Sequence, residues 1–267
     1  NKLEIDTFIY IGGNDSMDTI KKLSDYAIIT GQSQKFLGVP KTIDNDIYGT
    51  DVTFGFQSAI NIATETIDCI HTTAASHNRV FIVEVMGHKV GWLTLYAGIS
   101  GGADIILLPE IPYDINVLCD AITKRSKAGK RFSILAVAEG AISKEDAGMT
   151  KKELKEKKKN GGVYPSVAYE IGARIQEVPG SEVRVTVPGH MQRGGEPCPY
   201  DRVLATRLGA AAARLIADAE YGYIVTLKNN EITKVPLSEV TGKSTTVDPG
   251  CSMIKEAKMV GISFGDE

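Results

Sequence analysis

Short apolar runs of strand length recur along the whole chain, and this alternation constrains the fold more than any other feature. Between the runs lie stretches whose apolar residues repeat every three or four positions, as they do in amphipathic helices. The runs occupy residues 7–11, 79–85, 104–108, 132–137, 183–187 and 223–227, and the clearest helical stretches occupy residues 60–70, 115–124 and 203–216. Strands that alternate with helices predict an α/β fold whose mostly parallel sheets are covered on both faces.

Several of the predicted strands end in glycine, proline or acidic residues. The pairs Gly12-Gly13, Pro109-Glu110 and Glu139-Gly140 are examples. In open parallel sheets, ligands bind where the carboxyl ends of the strands meet the loops that follow them. We therefore expect the functional groups at these positions.

Composition excludes several classes of protein. The chain has 267 residues, of which 43% are hydrophobic and 24% are charged, so a sizeable core is expected and a disordered chain is not. Lys and Arg number 30 against 33 Asp and Glu, so the formal net charge of -3 gives no field that attracts nucleic acid or an anionic membrane. An anionic substrate must then be held by a local group of basic residues.

The four cysteines lie far apart and form no C-x-x-C pair, which predicts neither a disulfide framework nor a zinc site and favours a reduced cytoplasmic protein. The longest apolar stretch, at residues 103–108, is too short to span a bilayer. A strand pattern follows Asn1 almost at once, so we expect the chain to begin partway through a larger fold. Residues 150–160 are almost all charged and are interpreted as a solvated helix with charge pairs.

The first motif that carries chemistry is GGNDS at residues 12–16, where a strand passes into a helix predicted from about Ser16. Glycines at such a junction let backbone N–H groups approach a phosphate at the positive end of a helix. A helix cap at Asp15 or Ser16 would explain the same residues without a ligand. The carboxylate of Asp15 would also repel a polyphosphate chain.

The second motif is PKTIDND at residues 40–46, which brings together a cation, a hydroxyl group, an amide and two carboxylates. Asp44 and Asp46 are two positions apart, so in an extended segment they share a face. Such a pair suits a general base whose companion carboxylate orients a proton or a divalent metal. An Asx-rich turn is the structural alternative.

Basic residues accompany two further strands. They are Arg79 before one strand and His88 after it, and Arg184, His190 and Arg193 around the other. Guanidinium groups match phosphate oxygens in pairs, so these residues could clamp a sugar phosphate. Structural ion pairs in ordinary loops are the alternative.

Taken in order, the motifs GGNDS, PKTIDND, TDVTFGF, TTAASHNRVFIVEVMG, PEIPYD, AVAEG and RVTVPGHMQRGG closely resemble the 6-phosphofructokinase family. The resemblance extends over residues 7 to 212. It implies two three-layer α/β/α lobes with mostly parallel sheets and an active site in the cleft between them. Residues 1–55 and 192–240 would form the lobe that binds the phosphoryl donor, with its N-terminal part missing. Residues 56–191 and 241–267 would form the lobe that binds fructose 6-phosphate.

The resemblance also implies a role for individual residues. Asp44 matches the catalytic base and Asp46 its companion carboxylate, and Lys41 and Asp15 complete the expected catalytic set. Expected donor contacts are Gly12, Gly13, Asn14, Asp15 and Lys41. Expected substrate contacts are Thr42, Ile43, Asp44, Arg79, Met86, Gly87, His88, Glu110, Arg184, His190 and Arg193.

In the family, Arg79 and Arg184 come from a neighbouring subunit, which implies a homodimer or homotetramer with shared active sites. Mg²⁺ is the implied cofactor, and Asn14 stands at the position of a metal-associated Asp. His88 stands where many members carry an Arg that contacts the transferring phosphoryl group. The first departure replaces an acidic ligand with a neutral amide, and the second replaces a guanidinium group with an imidazole that would stabilise less charge.

Two positions separate the branches of the family by phosphoryl donor. ATP-using members resemble GGDGS and PGTIDND, whereas pyrophosphate-using members resemble GGDDS and PKTIDND. With Asp15 and Lys41, the sequence predicts transfer from pyrophosphate to the 1-hydroxyl of fructose 6-phosphate. This reversible glycolytic reaction gives fructose 1,6-bisphosphate and phosphate. An ATP-dependent phosphofructokinase and a non-catalytic regulatory subunit that binds sugar phosphate are the alternatives.

Overall fold

A computed structural model of the chain describes residues 4–77, 79–150, 152–154, 156, 164–177 and 182–267. The predicted α/β fold with mostly parallel sheets is confirmed. In chain order the elements are β1 (Thr7–Gly12), α1 (Asn14–Ile29), β2 (Lys35–Thr42), β3 (Phe54–Gly55), α2 (Phe56–His77), β4 (Val80–Val85), α3 (Trp92–Ser100), β5 (Ile105–Leu107), α4 (Ile115–Lys127), β6 (Ser133–Ala138), α5 (Lys144–Ala147), α6 (Val167–Gln176), β7 (Val183–Thr186), a 3₁₀-helix (Gly189–Arg193), α7 (Pro199–Ala217), β8 (Tyr223–Lys228), β9 (Glu231–Pro236), α8 (Leu237–Val240) and α9 (Ser252–Met259).

The chain divides into two compact units. The first consists of Asn1–Ser58 and Glu196–Thr245, and the second of Ala59–Gly195 and Thr246–Glu267. The lobes expected from the sequence have boundaries at residues 55, 191 and 240. Which ligand each lobe binds stays a prediction, because the division by contacts says nothing of ligands.

The first unit is built on a sheet in which the strands follow the order β1-β2-β8-β9, with β3 also paired to β2. All pairs are parallel except the β8–β9 hairpin. One face buries Met17 and Ile20 of α1 against the sheet, and the other buries Leu204 and Leu208 of α7. Apolar residues at helical spacing thus fix a helix to each face.

The second unit is built on a parallel sheet in the order β5-β6-β4-β7. Every residue of β4 and β6 is buried, because helices cover both faces of the sheet. Leu118 of α4 and Ile171 of α6 pack into the same core as Ile82 of β4. Strands buried on both faces read as continuous apolar runs, so the polar groups of this unit lie at the strand ends.

The six strands predicted from the sequence are all present, with ends that differ by one residue at most, and the three helical stretches lie within α2, α4 and α7. The strand β2 is absent from the predicted runs, and it contains Pro40, a residue that cannot donate a backbone hydrogen bond to a neighbouring strand. In the structure Pro40 pairs with Gly12 of β1, while β8 pairs only with Leu37 and Gly38 of the same strand. The proline therefore lies beyond the part of β2 that has a partner on both sides.

Three smaller expectations can be compared with the structure. The charged stretch at residues 150–160 lies largely outside the described residues. The four cysteines are free, as their spacing predicts. In the part of the chain that the structure describes, no helix is long and apolar enough to cross a membrane.

A buried carboxylate joins two helix N-termini in the first unit. Asp201, in the first turn of α7, is only 3% exposed. Its Oδ2 accepts hydrogen bonds from the backbone N–H (2.8 Å) and the hydroxyl (2.6 Å) of Ser58, in the first turn of α2. The hydroxyl of Ser58 in turn accepts from the N–H of Cys198, the residue that precedes α7 (2.9 Å). Asp201 thereby ties the first turns of α2 and α7 together, and it satisfies N–H donors that helix N-termini leave unpaired.

We expect Asp201→Ala to lower the free energy of unfolding by about 2–4 kcal/mol, because buried donors lose a charged acceptor. Urea unfolding of the full-length protein measures the effect. Asp218→Ala is the matched control, since Asp218 is exposed at the opposite end of α7. Equal unfolding midpoints for the two variants would show that the buried carboxylate does not stabilise this junction.

Candidate functional site

The loops that follow β1 and β2 lie side by side in the first unit. The two strands are parallel, and their register places Gly12 opposite Pro40. A Cβ atom on Gly12 would lie 2.2 Å from the Oγ of Ser16, so only glycine lets α1 start this close to the strand. A Cβ atom on Gly13 would lie 3.6 Å from the Cβ of Thr42, which places the glycine loop against the end of β2. The structure thus brings together the GGNDS and PKTIDND motifs.

The N-terminus of α1 has no side-chain cap. The helix begins at Asn14, two residues earlier than predicted, and its N-cap is Gly13. The carbonyl oxygen of Gly13 accepts from the N–H groups of Ser16 and Met17, both at 3.0 Å. A cap by Asp15 or Ser16, the alternative left open by the sequence, is therefore not observed. An uncapped N-terminus keeps backbone N–H donors that suit an anion.

Asn14 ties the two loops together. Its amide nitrogen donates to the Oδ2 of Asp46 (2.6 Å) and to the backbone carbonyl of Asp46 (3.1 Å). The loop that carries Asp46 is fixed further by Asn45, which has a φ of 56° and accepts from the N–H of Thr53 at 2.8 Å. The N–H of Asp44 donates to the hydroxyl of Thr42 (3.1 Å). Asp44 therefore lies in a segment held by hydrogen bonds on both sides of it.

A magnesium ion would require ligands that these residues do not supply as placed. Mg²⁺ takes oxygen ligands in octahedral geometry, commonly one or two carboxylates and the phosphates of a substrate. Asn14 is engaged as a donor to Asp46, so this pair is joined without a cation. Among the described residues there is no group of three or more His, Cys, Asp or Glu side chains that could hold a metal ion. The residues as placed do not fit a metal site of the protein's own, and the magnesium ion stays a prediction from the resemblance.

In the second unit, a carboxylate shapes the turn that follows β4. The Oε1 of Glu139 accepts hydrogen bonds from the backbone N–H groups of Gly87 (3.2 Å) and His88 (2.7 Å). His88 has a φ of 54°, in the left-handed region that a histidine rarely adopts. A Cβ atom on Gly140 would lie 2.2 Å from the carbonyl oxygen of His88, so the turn packs directly on a glycine. The position of His88 therefore depends on the loop after β6.

Glu110 lies at the same edge of this sheet, where β5 ends. Its Oε1 accepts from the N–H groups of Gly91 (3.0 Å) and Val247 (2.9 Å). Its Oε2 is buried and has no hydrogen-bond partner among the described residues. An acceptor in this state is unfavourable unless a ligand or a water donates to it. A sugar hydroxyl is such a donor.

The 3₁₀-helix that carries His190 and Arg193 is fixed to the same edge. Gln192 is 1% exposed, and its Oε1 accepts from the N–H of Met86 at 3.1 Å. Its Nε2 donates to the carbonyl oxygen of Gly189 at 3.1 Å. Strand β7 is parallel to β4, so the helix after β7 and the turn after β4 meet where both strands end.

Arg79 and Arg184 lie at the opposite end of the strands, where β4 and β7 begin. Arg79 immediately precedes β4, and Arg184 is the second residue of β7. Seven positions separate Arg79 from Met86, which is about 20 Å at the rise of roughly 3.3 Å per strand residue. The predicted phosphate clamp is therefore divided within one chain, with Arg79 and Arg184 at the strand starts and His190 and Arg193 after the strand ends.

Glu182 pairs with both arginines at the strand starts. Its Oε2 lies 2.6 Å from the Nε of Arg79, and its Oε1 forms an ion pair with Arg184. Arg79, with a further contribution from Arg184, holds the pKa of the Glu182 carboxyl below its usual value. The two arginines thus converge on one anionic group.

Three residues of this arrangement are absent from the sequence predictions: Glu139, Glu182 and Gln192. The sequence places Glu139 at the end of a predicted strand but does not indicate that its carboxylate fixes the turn of His88. The backbone N–H groups that donate to Glu139 and Gln192 lie between 51 and 106 positions away, so these pairings depend on strand order. The one usable signal for these contacts is the acidic residue directly after β6, Glu139, because β6 is adjacent to β4.

Comparison with known proteins places these motifs in context. The sequence profile of the Phosphofructokinase family matches residues 1–216. The chain is 51% identical over 266 residues to a protein of Spirochaeta thermophila named ATP-dependent 6-phosphofructokinase, covering 100% of this chain and 71% of the relative. It is 47% identical over 231 residues to a protein of Chloroflexus aurantiacus with the same name, covering 86% of this chain and 63% of the relative.

A solved structure shows the same fold. It is the pyrophosphate-dependent phosphofructokinase from Nitrosospira multiformis, with a TM-score of 0.79 at 24% identity. The match covers 92% of this chain and 62% of the other chain. The chain therefore spans about two thirds of the proteins it matches.

We expect Glu139→Ala to speed amide hydrogen exchange at Gly87 and His88 by about 10- to 100-fold, since a hydrogen bond to a charged acceptor contributes roughly 1.5–3 kcal/mol. Exchange followed by NMR or mass spectrometry measures the effect. Glu177→Ala is the control, because the side chain of Glu177 is 74% exposed in the same unit. Unchanged protection of both amides in Glu139→Ala would mean that the carboxylate does not hold the turn.

Proposed function

Because the chain belongs to the phosphofructokinase family, we propose that the protein transfers a phosphoryl group to the 1-hydroxyl of fructose 6-phosphate. The observation that carries the proposal is the uncapped N-terminus of α1 beside the loop of Lys41, Asp44 and Asp46. Phosphoryl transfer depends on positioning and on stabilising charge, and this arrangement supplies N–H donors, a cation and a carboxylate together. The four free cysteines suit the cytoplasm, the location we propose.

In this proposal each group near β1 and β2 has a separate task. Asp44 accepts the proton of the 1-hydroxyl as that oxygen attacks the donor's terminal phosphorus. Lys41 and the N–H groups at the start of α1 stabilise the charge of the transferring phosphoryl group and of the leaving group, which is ADP when ATP is the donor and phosphate when pyrophosphate is the donor. Asn14 holds Asp46 and thereby fixes the loop that presents Asp44.

The sugar phosphate is assigned to the second unit. The unpartnered Oε2 of Glu110 supports a contact with a sugar hydroxyl. Met86, Gly87 and His88 lie at the same edge, in a turn that Glu139 holds. Arginine forks suit the 6-phosphate, and the separation of Arg79 and Arg184 from this edge supports their action in the site of a neighbouring subunit. The oligomer we propose is a homodimer or homotetramer.

ATP is the donor we propose first. The two relatives at 51% and 47% identity are both named ATP-dependent, which favours ATP over the pyrophosphate predicted from the sequence. Pyrophosphate is the second candidate, because Asp15 is exposed in the first turn of α1. Its carboxylate brings negative charge to the place where donor phosphates would bind, and Lys41 offers a shorter donor a compensating cation.

Turnover of fructose 6-phosphate by the full-length protein, measured with ATP and with pyrophosphate, tests the proposal. We expect turnover with ATP, and we expect Asp15→Ala to raise kcat/KM for ATP by about 10-fold, because a like charge near the polyphosphate is removed. Asp25→Ala is the control, since it removes a carboxylate from the last part of the same helix.

Each outcome of this assay has a distinct meaning. Turnover with pyrophosphate and none with ATP would replace the first donor by the second. No turnover with either donor would contradict the proposed function. A kcat/KM for ATP that responds equally to Asp15→Ala and Asp25→Ala would show that Asp15 does not act on the donor.

A further inference from the structure

We propose that the carboxylate of Glu182 occupies the anion position between Arg79 and Arg184 until a phosphate displaces it, and so sets the affinity of these arginines for a sugar phosphate. The inference rests on the proposed function, because it concerns the arginines assigned to the 6-phosphate. In this inference Glu182 weakens the binding of the sugar phosphate, whereas Arg79 and Arg184 are expected to strengthen it.

The contacts of Glu182 are those an anion would make. One carboxylate oxygen faces the Nε of Arg79 at 2.6 Å, and the other faces a terminal nitrogen of Arg184. A second terminal nitrogen of Arg184 donates to the backbone carbonyl of Val183 at 2.9 Å. Both arginines thus lie within ion-pair distance of the same carboxylate, and Arg184 also donates a hydrogen bond to it.

The backbone places this acid between the arginines. Val80 pairs with Val183 across the β4–β7 ladder, and the N–H of Val80 donates to the carbonyl oxygen of Glu182 at 2.9 Å. Arg79 and Glu182 are therefore neighbours, each immediately before the first residue of one of these two strands. Glu182 and Arg184 are two positions apart, so they share a face of the extended chain. The cluster follows from strand register and does not require a flexible segment to close.

A phosphate and a carboxylate compete for such a cluster. Both are anions with pairs of oxygen atoms that match the N–H donors of a guanidinium group. The carboxylate of Glu182 would also repel a dianionic phosphate bound next to it. Phosphate must therefore displace the carboxylate. Exposed ion pairs are weak, and the side chains of Glu182 and Arg184 are 46% and 48% exposed. The expected effect on affinity is accordingly moderate, about 3- to 10-fold.

The test is calorimetric titration of the full-length protein with fructose 6-phosphate and, separately, with inorganic phosphate. Glu182→Gln removes the charge and keeps the size of the side chain. Glu182→Asp keeps the charge on a side chain one methylene shorter, which cannot reach both arginines in the same way. Glu177→Gln is the control, because it removes one exposed acid that pairs with a different arginine, Arg174.

We expect Glu182→Gln to bind fructose 6-phosphate about 3- to 10-fold more tightly than the wild type, with an intermediate gain for Glu182→Asp and none for Glu177→Gln. In turnover, KM for fructose 6-phosphate should fall while kcat stays the same, since displacement precedes the chemical step. Unchanged or weaker binding in Glu182→Gln would overturn the inference.

The two ligands separate this inference from the proposed function. If the wild type binds inorganic phosphate but not fructose 6-phosphate, the proposed function is wrong, and tighter phosphate binding by Glu182→Gln still supports competition at the arginines. If the wild type binds neither ligand and Glu182→Gln gains no affinity for either, the competition is refuted as well.

Discussion

Burial of β4 and β6 on both faces is the constraint on which the second unit depends. Every residue of these two strands is buried, so a charged side chain along them requires a partner in the core. Glu84 is the one charged residue in these two strands, and it has such a partner. Its Oε2 accepts a hydrogen bond from the N–H of Ala168 at the start of α6 (3.0 Å). Almost all other polar groups of the site lie at the two ends of the sheet, where the strands begin and where they end.

Carboxylates that accept backbone N–H groups organise the loops at these edges. Glu139 holds the turn after β4, Glu110 joins the start of α3 to the chain near Val247, and Asp201 joins two helix starts in the first unit. A negatively charged acceptor forms stronger hydrogen bonds than a neutral one and fixes the direction of the N–H groups it takes.

The sequence was sufficient for the fold class and for six of the strands, but not for β2. Apolar runs located six strands, and the motifs indicated the family that the comparisons show. What it did not provide was contact between distant segments. The hydrogen bond from the N–H of His88 to Glu139 depends on which strand lies beside β4. The ion pair of Glu182 with Arg79 depends on the register between β4 and β7. Asp15 and Lys41 predict pyrophosphate as the donor, whereas relatives of high identity are named for ATP, so the sequence motifs and the comparisons favour different donors.

The division of the basic residues between two edges of one sheet leads to the central claim, that a substrate site combines residues of two subunits. Mixing two variants of the full-length protein tests it most directly, one with Arg79→Ala and Arg184→Ala and the other with His190→Ala and Arg193→Ala. Each variant alone should have a strongly raised KM for fructose 6-phosphate. After dissociation and reassembly of the mixture, sites that combine intact residues from both chains should restore up to about a quarter of the wild-type activity at low substrate, the share expected for random pairing in dimers. No recovery in verified hybrid oligomers would show that all four residues act within one chain.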